Sequence, residues 1–443
     1  MTSSYDVVVV GGGIGGLTVA ALLAARGVSV CVLERQSQVG GCIARVEFSG
    51  HEFEPGMGVY TSFGVGEIYQ QIFAELPVDV PETSLLTQPY VVRLADGTDV
   101  RLLPDELLRD ESFFAELSRV FPECADAGVQ FYRNPTPEAF AKTSMRFQSF
   151  IETQLRGFLH SSIDQCGYEA AATVLQRMRD PLYDIRGGTA IVAERLAESI
   201  KRSGGAVRLN TPVLRLAYDQ SGSAVGVDLL SGETVVARKA IVSNLTIWDT
   251  YGKLVGLNRT PPEIKKLLNT LHGTGAYIVY ATVEDSAISR LPSTRLLAAT
   301  QPVKDDDASF TEFTLAIHGG TATLKSLTDV NEWFTFHASE EDFEDSDQAA
   351  LEHFWTKLHT TLPELGSGIE IIETANPRTY YDLTRRKLGM VMGLLSGLSS
   401  AKISSPLTAI PNLFIISDTT THFPTLDTVS TAAYSLANQI KKR

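Results

Sequence analysis

Gly11-Gly12-Gly13-Ile14-Gly15-Gly16 carry the spacing G-x-G-x-x-G at Gly11, Gly13 and Gly16. They follow the apolar run Val7 to Val10, which reads as a buried strand, and open a helical pattern that stops at Gly27. In such a turn Gly11 permits the tight reversal, Gly13 lets a pyrophosphate approach the backbone, and Gly16 allows close packing of helix on strand. The N–H groups of the helix N-terminus then face the anion. A second strand, Val28 to Leu33, leads into Glu34, where a carboxylate can accept hydrogen bonds from a ribose diol. The set describes a dinucleotide site and does not choose between a nicotinamide and a flavin.

Other reactive side chains are scattered. Cys31, Cys42, Cys124 and Cys166 form no C-x-x-C pair, so neither a zinc site nor a disulfide framework is expected. The eight histidines include no H-x-x-x-H pair, and no metal is expected. Cys42 reads as a small buried side chain next to Gly41. Glu340 to Asp347 holds six carboxylates and reads as a solvated loop ahead of a helix.

The elements that position these residues fit a chain of 443 residues, 44% hydrophobic and 20% charged, which is globular usage and excludes disorder. A net charge of −14 opposes phosphate backbones and anionic lipid, so nucleic acid is not an expected partner. Val7 to Ala25 is uncharged, yet five glycines interrupt it and Asp6 precedes it; neither a signal peptide nor a membrane anchor is expected. Ile68 to Arg179 reads as helical, with Phe140, Phe147, Phe150 and Phe158 forming an aromatic stripe. Strands follow at Ala206 to Leu209, around hairpins at Ser221-Gly222 and Ser231-Gly232, and at Ala240 to Ser243. Tyr277 to Val283, Phe313 to His318 and Trp333 to His337 read as an antiparallel sheet, Leu413 to Ile416 as a buried strand, and Asp427 to Lys441 as a helix. The fold class is α/β: a Rossmann-like dinucleotide domain with an inserted α+β substrate domain of mixed antiparallel sheet and helices.

Glu34-Arg35, then Gly40-Gly41, then Glu54-Pro55-Gly56-Met57-Gly58 resemble the flavin-binding opening of the phytoene desaturase and amine oxidase superfamily. Asn210-Thr211-Pro212-Val213 is similar to the family's adenine-side strand, Ala240 to Asn244 with Thr250-Tyr251 to its strand returning from the hairpin, Asn376-Pro377-Arg378-Thr379-Tyr380 and Gly389-Met390-Val391 to its carotenoid desaturase and isomerase branch, and Pro411 to Asp418 to its second flavin motif. The resemblance implies FAD, held by Gly11, Gly13, Ile14, Gly15, Gly16, Glu34, Arg35, Gly40, Gly41, Gly56, Met57, Val213, Asp418, Thr428 and Val429. It also implies an FAD-binding domain of residues 1–67, 186–256 and 400–443, and a substrate domain of 68–185 and 257–399.

The implied function is that of an FAD-dependent oxidoreductase, which takes hydride from an apolar isoprenoid or polyene substrate, or isomerises its double bonds, at flavin N5. Oxygen or a quinone would accept the electrons. A cytoplasmic location with at most peripheral membrane contact, through the Phe140 to Leu159 face, is expected. Two alternatives remain. In an amine or amino-acid oxidase a lysine often holds water near N5; Thr274 to Val283 has none, and Lys325 is the residue that would restore this reading. A prenyl-protein escort without flavin chemistry shares the fold but characteristically loses glycines that are all present here.

Two departures stand out: Ser417 replaces the usual glycine before the aspartate, and Pro424-Thr425-Leu426-Asp427 replaces Pro-Gly-x-Gly. Asp427 therefore either caps the last helix or faces flavin and substrate as an acid–base group. Tyr380 and Tyr381, which follow a strand expected at Pro377, are candidates for the wall of the substrate pocket, with Tyr381 a candidate catalytic residue, and Arg378 is a candidate partner for a carboxylate.

Overall fold

The computed structural model describes residues 2–88, 90–101, 110–300, 310–334, 340–395, 408–421 and 424–442. Its first sheet runs, in order, Val213–Tyr218, Ala224–Leu229, Thr234–Ser243, Thr2–Val10, Val30–Leu33 and Ala206–Arg208, with Leu413–Ile415 also paired to Thr234–Ser243. The central strands are parallel and apolar on both faces because both are covered, one by Leu216, Val227 and Leu229 with Trp248, Tyr251 and Leu254, the other by helices. One of these, Ile14–Ala25, is buried almost all round between Ala190–Arg202 and Leu426–Lys441, which its small and aliphatic residues permit. Register decides where the site lies. Val10 pairs with both Leu33 and Ser243, and Ser243 pairs with Ile415, so Gly11, Glu34, Asn244 and Ile416 leave the sheet at one level.

The second sheet runs Ile369–Ala375, His272–Val283, Thr321–Thr328, Glu312–His318, Arg295–Ala299, Val91–Arg93 and Asp99–Val100, with Met392–Leu395 also on His272–Val283. All its pairings are antiparallel except Arg295–Ala299 with Val91–Arg93. Strand alternation sends Tyr277, Val279, Phe313, Leu315 and Leu324 to a core shared with Phe354 and Leu358 of the helix Glu340–Thr361. The opposite face carries Ile278, Tyr280, Glu312, Thr323 and Lys325; Thr323 there donates its hydroxyl hydrogen to the Glu54 carbonyl, 2.7 Å away. A helical block spanning 110–177 packs around Phe113, Phe121, Phe131, Phe147 and Phe150. This is an α/β fold with Rossmann-type topology and a mixed second layer.

Several sequence expectations are corrected. Glu340 to Asp347, read as a loop, form the opening turns of the helix Glu340–Thr361. Pro377 starts a helix, Pro377–Thr384, because Asn376 caps it with its side-chain oxygen and proline fits the first turn. Val330–Trp333 is a 3-10 turn rather than the start of a strand, and 335–337 lies outside the described residues. Short strands at Thr83–Leu85 and Val91–Arg93 interrupt the stretch read as helical, and Thr250-Tyr251 begin a π-helical segment, Thr250–Gly256. No helix of the described residues is long and apolar enough to cross a membrane.

Candidate functional site

The loops at the common strand level enclose one continuous cavity of about 1100 Å³. At one end it is glycine and main chain. Gly11 sits at φ +97°, and a side chain on Gly13 would bring its first carbon to 2.5 Å from Asn244 Oδ1. Gly16 is packed instead of open: the same addition would meet the Gly11 carbonyl oxygen at 2.5 Å and Val9 at 3.0 Å. The two glycine loops face each other, with the Gly40 N–H donating to the Gly12 carbonyl at 2.8 Å. Helix Ile14–Ala25 has neither a side-chain cap at Gly13 nor an acidic residue in its first turn, so its leading N–H groups are left for an anion.

Around that anion site, Glu34 is held at both oxygens, by the N–H groups of Gly12 and Gln36 at 2.7 Å each. Arg35 donates to the Leu383 carbonyl at 2.7 Å. Asn244, which the sequence reading did not single out as a site residue, stitches two strand ends by donating to the Ile416 carbonyl at 2.6 Å. Asp418 is gripped at both oxygens by Arg386, at 2.6 and 3.3 Å. Burial opposes the Arg386 charge, but Asp418 beside it holds the guanidinium pKa above its ordinary value. These groups fit a flavin dinucleotide: main-chain donors and Arg386 for phosphates, an oriented carboxylate for a ribose, and Val213 beside it in the wall.

The far end is different in chemistry. Pro55, Gly56, Met57, Val59, Phe158, Val174, Met178, Ile278, Tyr280 and Val391 give it an apolar lining, with Arg177, Asp427, His160 and Lys325 as charged or ionisable exceptions. Burial pushes the Tyr280 hydroxyl pKa up to about 12. The aromatic stripe divides: Phe158 reaches the cavity, Phe147 and Phe150 are core, and Phe140 packs on Phe131 and Tyr168.

Of the residues expected here, Gly11, Gly13, Ile14, Glu34, Arg35, Gly40, Gly41, Gly56, Met57, Val213, Asp418, Asp427 and Val429 line the cavity. Gly15, Gly16 and Thr428 lie behind it: Gly15 is close to Asn244 and Val429, and Thr428 closes a capping box with Thr425. Thr425 is thus the N-cap, so of the two roles open to Asp427 the cap is the one it does not fill. The buried Asp427 carboxylate takes hydrogen bonds from Ser62 Oγ at 3.0 Å and Thr425 Oγ1 at 2.7 Å, and pairs with Arg177 of the helix Tyr168–Arg177. Tyr380, not Tyr381, is in the cavity wall; Tyr381 packs edge-on to Phe334 and lies beneath Lys253 and Arg385. Arg378 stacks on Phe343. Sequence reasoning passed over His160 and Arg177 and kept Lys325 only as a contingency, because no motif marks them; topology alone brings them together.

Comparison with known proteins agrees with this geometry. The chain is 22% identical to the human (Homo sapiens) all-trans-retinol 13,14-reductase, covering 93% of this chain and 81% of that one. It is 23% identical to the chloroplastic prolycopene isomerase of Daucus carota, over 94% and 76%. Against the inactive all-trans-retinol 13,14-reductase of Danio rerio it spans 56% of that protein's length, at 25% identity over 65% of this chain. An oxidoreductase from Methanosarcina mazei shares the fold, with a TM-score of 0.71, 16% identity and coverage of 99% and 100%. Residues 14–370 match the flavin containing amine oxidoreductase family, so this chain belongs to that family and is an FAD-dependent enzyme.

Proposed function

We propose that the enzyme acts on an apolar polyene or isoprenoid molecule, exchanging hydride with it or shifting its double bonds. The apolar far end of the cavity carries this reading, since a chain lying along Phe158, Val174, Met178 and Val59 can reach the Gly56-Met57 segment without leaving the same cavity. The retinol reductase and the prolycopene isomerase among the relatives support a conjugated substrate. Bound FAD supplies two-electron chemistry, or, when reduced, a route for double-bond isomerisation. The protein's share is positional. In this reading Gly11, Gly13 and Arg386 hold the phosphates, Glu34 the ribose and Val213 the adenine side, while the apolar walls fix the substrate and exclude water. Oxygen or a quinone is the proposed acceptor when the reaction is oxidative.

Amine oxidation stays as a second reading because of one observation. Lys325 stands in the cavity wall on Thr321–Thr328, paired in register with Ile278, so the lysine missing from Thr274 to Val283 is supplied by the neighbouring strand. Incubating the FAD-loaded enzyme with polyenes and with amines, followed by product analysis and peroxide assay, separates the two. Conversion of a polyene supports the proposal; peroxide release with amines and an unchanged polyene overturns it.

A further inference from the structure

His160 ends the helix Met145–Leu159 in a left-handed conformation, φ 53° and ψ 38°, and its carbonyl accepts the Thr274 hydroxyl at 2.9 Å. A non-glycine residue there is uncommon and costs conformational energy, so the turn is one that the surrounding packing imposes. It places the imidazole against Lys325, whose Nζ contacts His160 Nε2. Both side chains belong to the cavity wall, and His160 is only 5% exposed.

Proton counting sets the character of this pair. An ammonium has three donors and no acceptor, so His160 Nε2 must accept from Lys325 and the imidazole proton must sit on Nδ1. Nδ1 has no hydrogen-bond partner among the described residues, and among the same residues Lys325 Nζ contacts only His160. The nearest counter-charge is committed elsewhere. Glu312, on the adjacent strand, pairs with Arg156 at 3.5 Å and accepts from the Leu327 N–H at 3.2 Å and the Thr311 hydroxyl at 2.5 Å. Burial, only partly offset by Glu312, brings the Lys325 pKa down to about 8. Burial and the neighbouring ammonium hold His160 well below the ordinary imidazole value. The result is one positive charge and three unfilled N–H donors at an apolar wall, an arrangement that native interiors complete with a ligand or water.

We propose that Lys325 and His160 form an anion subsite that receives the carboxylate of an apolar, unsaturated acid whose chain lies along Phe158 and Ile278. This deepens the reading given above and rests on it: the substrate class becomes a polyene with one acidic end. A protonated amine would meet the like charge of Lys325, so the subsite also selects against the second reading.

The test is a binding titration on the FAD-loaded full chain, with a long-chain polyene carboxylate, its methyl ester and the matching alcohol as probes. Binding is read from the flavin spectrum and from ligand fluorescence. The carboxylate is expected to bind about 10- to 100-fold more tightly than the ester, the range of a charge-assisted hydrogen bond. Lys325→Met should abolish that preference while leaving ester affinity in place; His160→Gln should reduce it. Equal affinity of acid and ester for the wild-type protein overturns the subsite while leaving the apolar reading intact, and so does a preference that survives Lys325→Met. Should Lys325→Met lose FAD, the wild-type comparison and His160→Gln decide alone. Failure of all three polyene probes to bind, with amines perturbing the flavin instead, overturns the underlying reading.

Discussion

A side chain at Gly13 has no space beside Asn244, and Gly13 also fronts the helix end where phosphates are to sit. Gly13→Val should therefore yield folded but colourless protein, checked by flavin absorbance against circular dichroism. Arg386 makes a different kind of contribution, because it neutralises Asp418 in the part of the cavity assigned to the dinucleotide. Arg386→Met removes this cation and its ion pair from beside the incoming phosphates. Reconstitution of stripped protein should then show FAD binding weakened about 10- to 100-fold, measured by quenching of flavin fluorescence. An affinity equal to wild type would show that the pair serves only the fold.

Elements meet at Asp427 and Lys325. Asp427 joins the C-terminal helix to the helix Tyr168–Arg177 through Arg177, and to the Ser62 loop. Asp427→Asn should keep the Ser62 and Thr425 contacts but lose the ion pair, loosening the substrate-side helix. Because Arg177 is about one-third exposed, the stability loss should be only about 1 kcal/mol. The clearer readout is a rise in KM that exceeds any fall in kcat; a fall in kcat alone with a lost titrating limb would instead make Asp427 an acid–base residue. Lys325 gives a pH prediction. Its folded pKa of about 8 lies below the ordinary 10.5, so burying the charged form costs stability in full below pH 8, and the cost fades as pH rises to 10.5. Lys325→Met should raise the apparent Tm at pH 7, equivalent to at most about 3 kcal/mol, with the advantage vanishing at high pH. Thermal scans of both proteins across that range test it.

At the scale of the whole molecule, the glycine turn, Glu34 and the strand Leu413–Ile415 were legible because local spacing encodes them: a dinucleotide turn needs glycines at fixed offsets between a strand and a helix. The second sheet was only partly legible, since period-two alternation shows a strand but not its neighbours, and Lys325 acquires meaning only once it pairs opposite Ile278. Asn376-Pro377 shows the reverse failure: a side-chain cap and a proline at the first turn signal a helix start, and the resemblance to a strand-like segment masked it. His160 was not legible at all, because a left-handed helix end and a contact across 165 positions leave no local pattern. In the proposed function FAD and an apolar polyene share one cavity. Anaerobic mixing of the oxidised or prereduced enzyme with a polyene acid, and separately with a primary amine, probes this through the main visible flavin band. The polyene should shift or bleach that band of the oxidised enzyme, or emerge isomerised from the reduced one, while the amine leaves it unchanged; bleaching by the amine with no response to the polyene would overturn the polyene assignment.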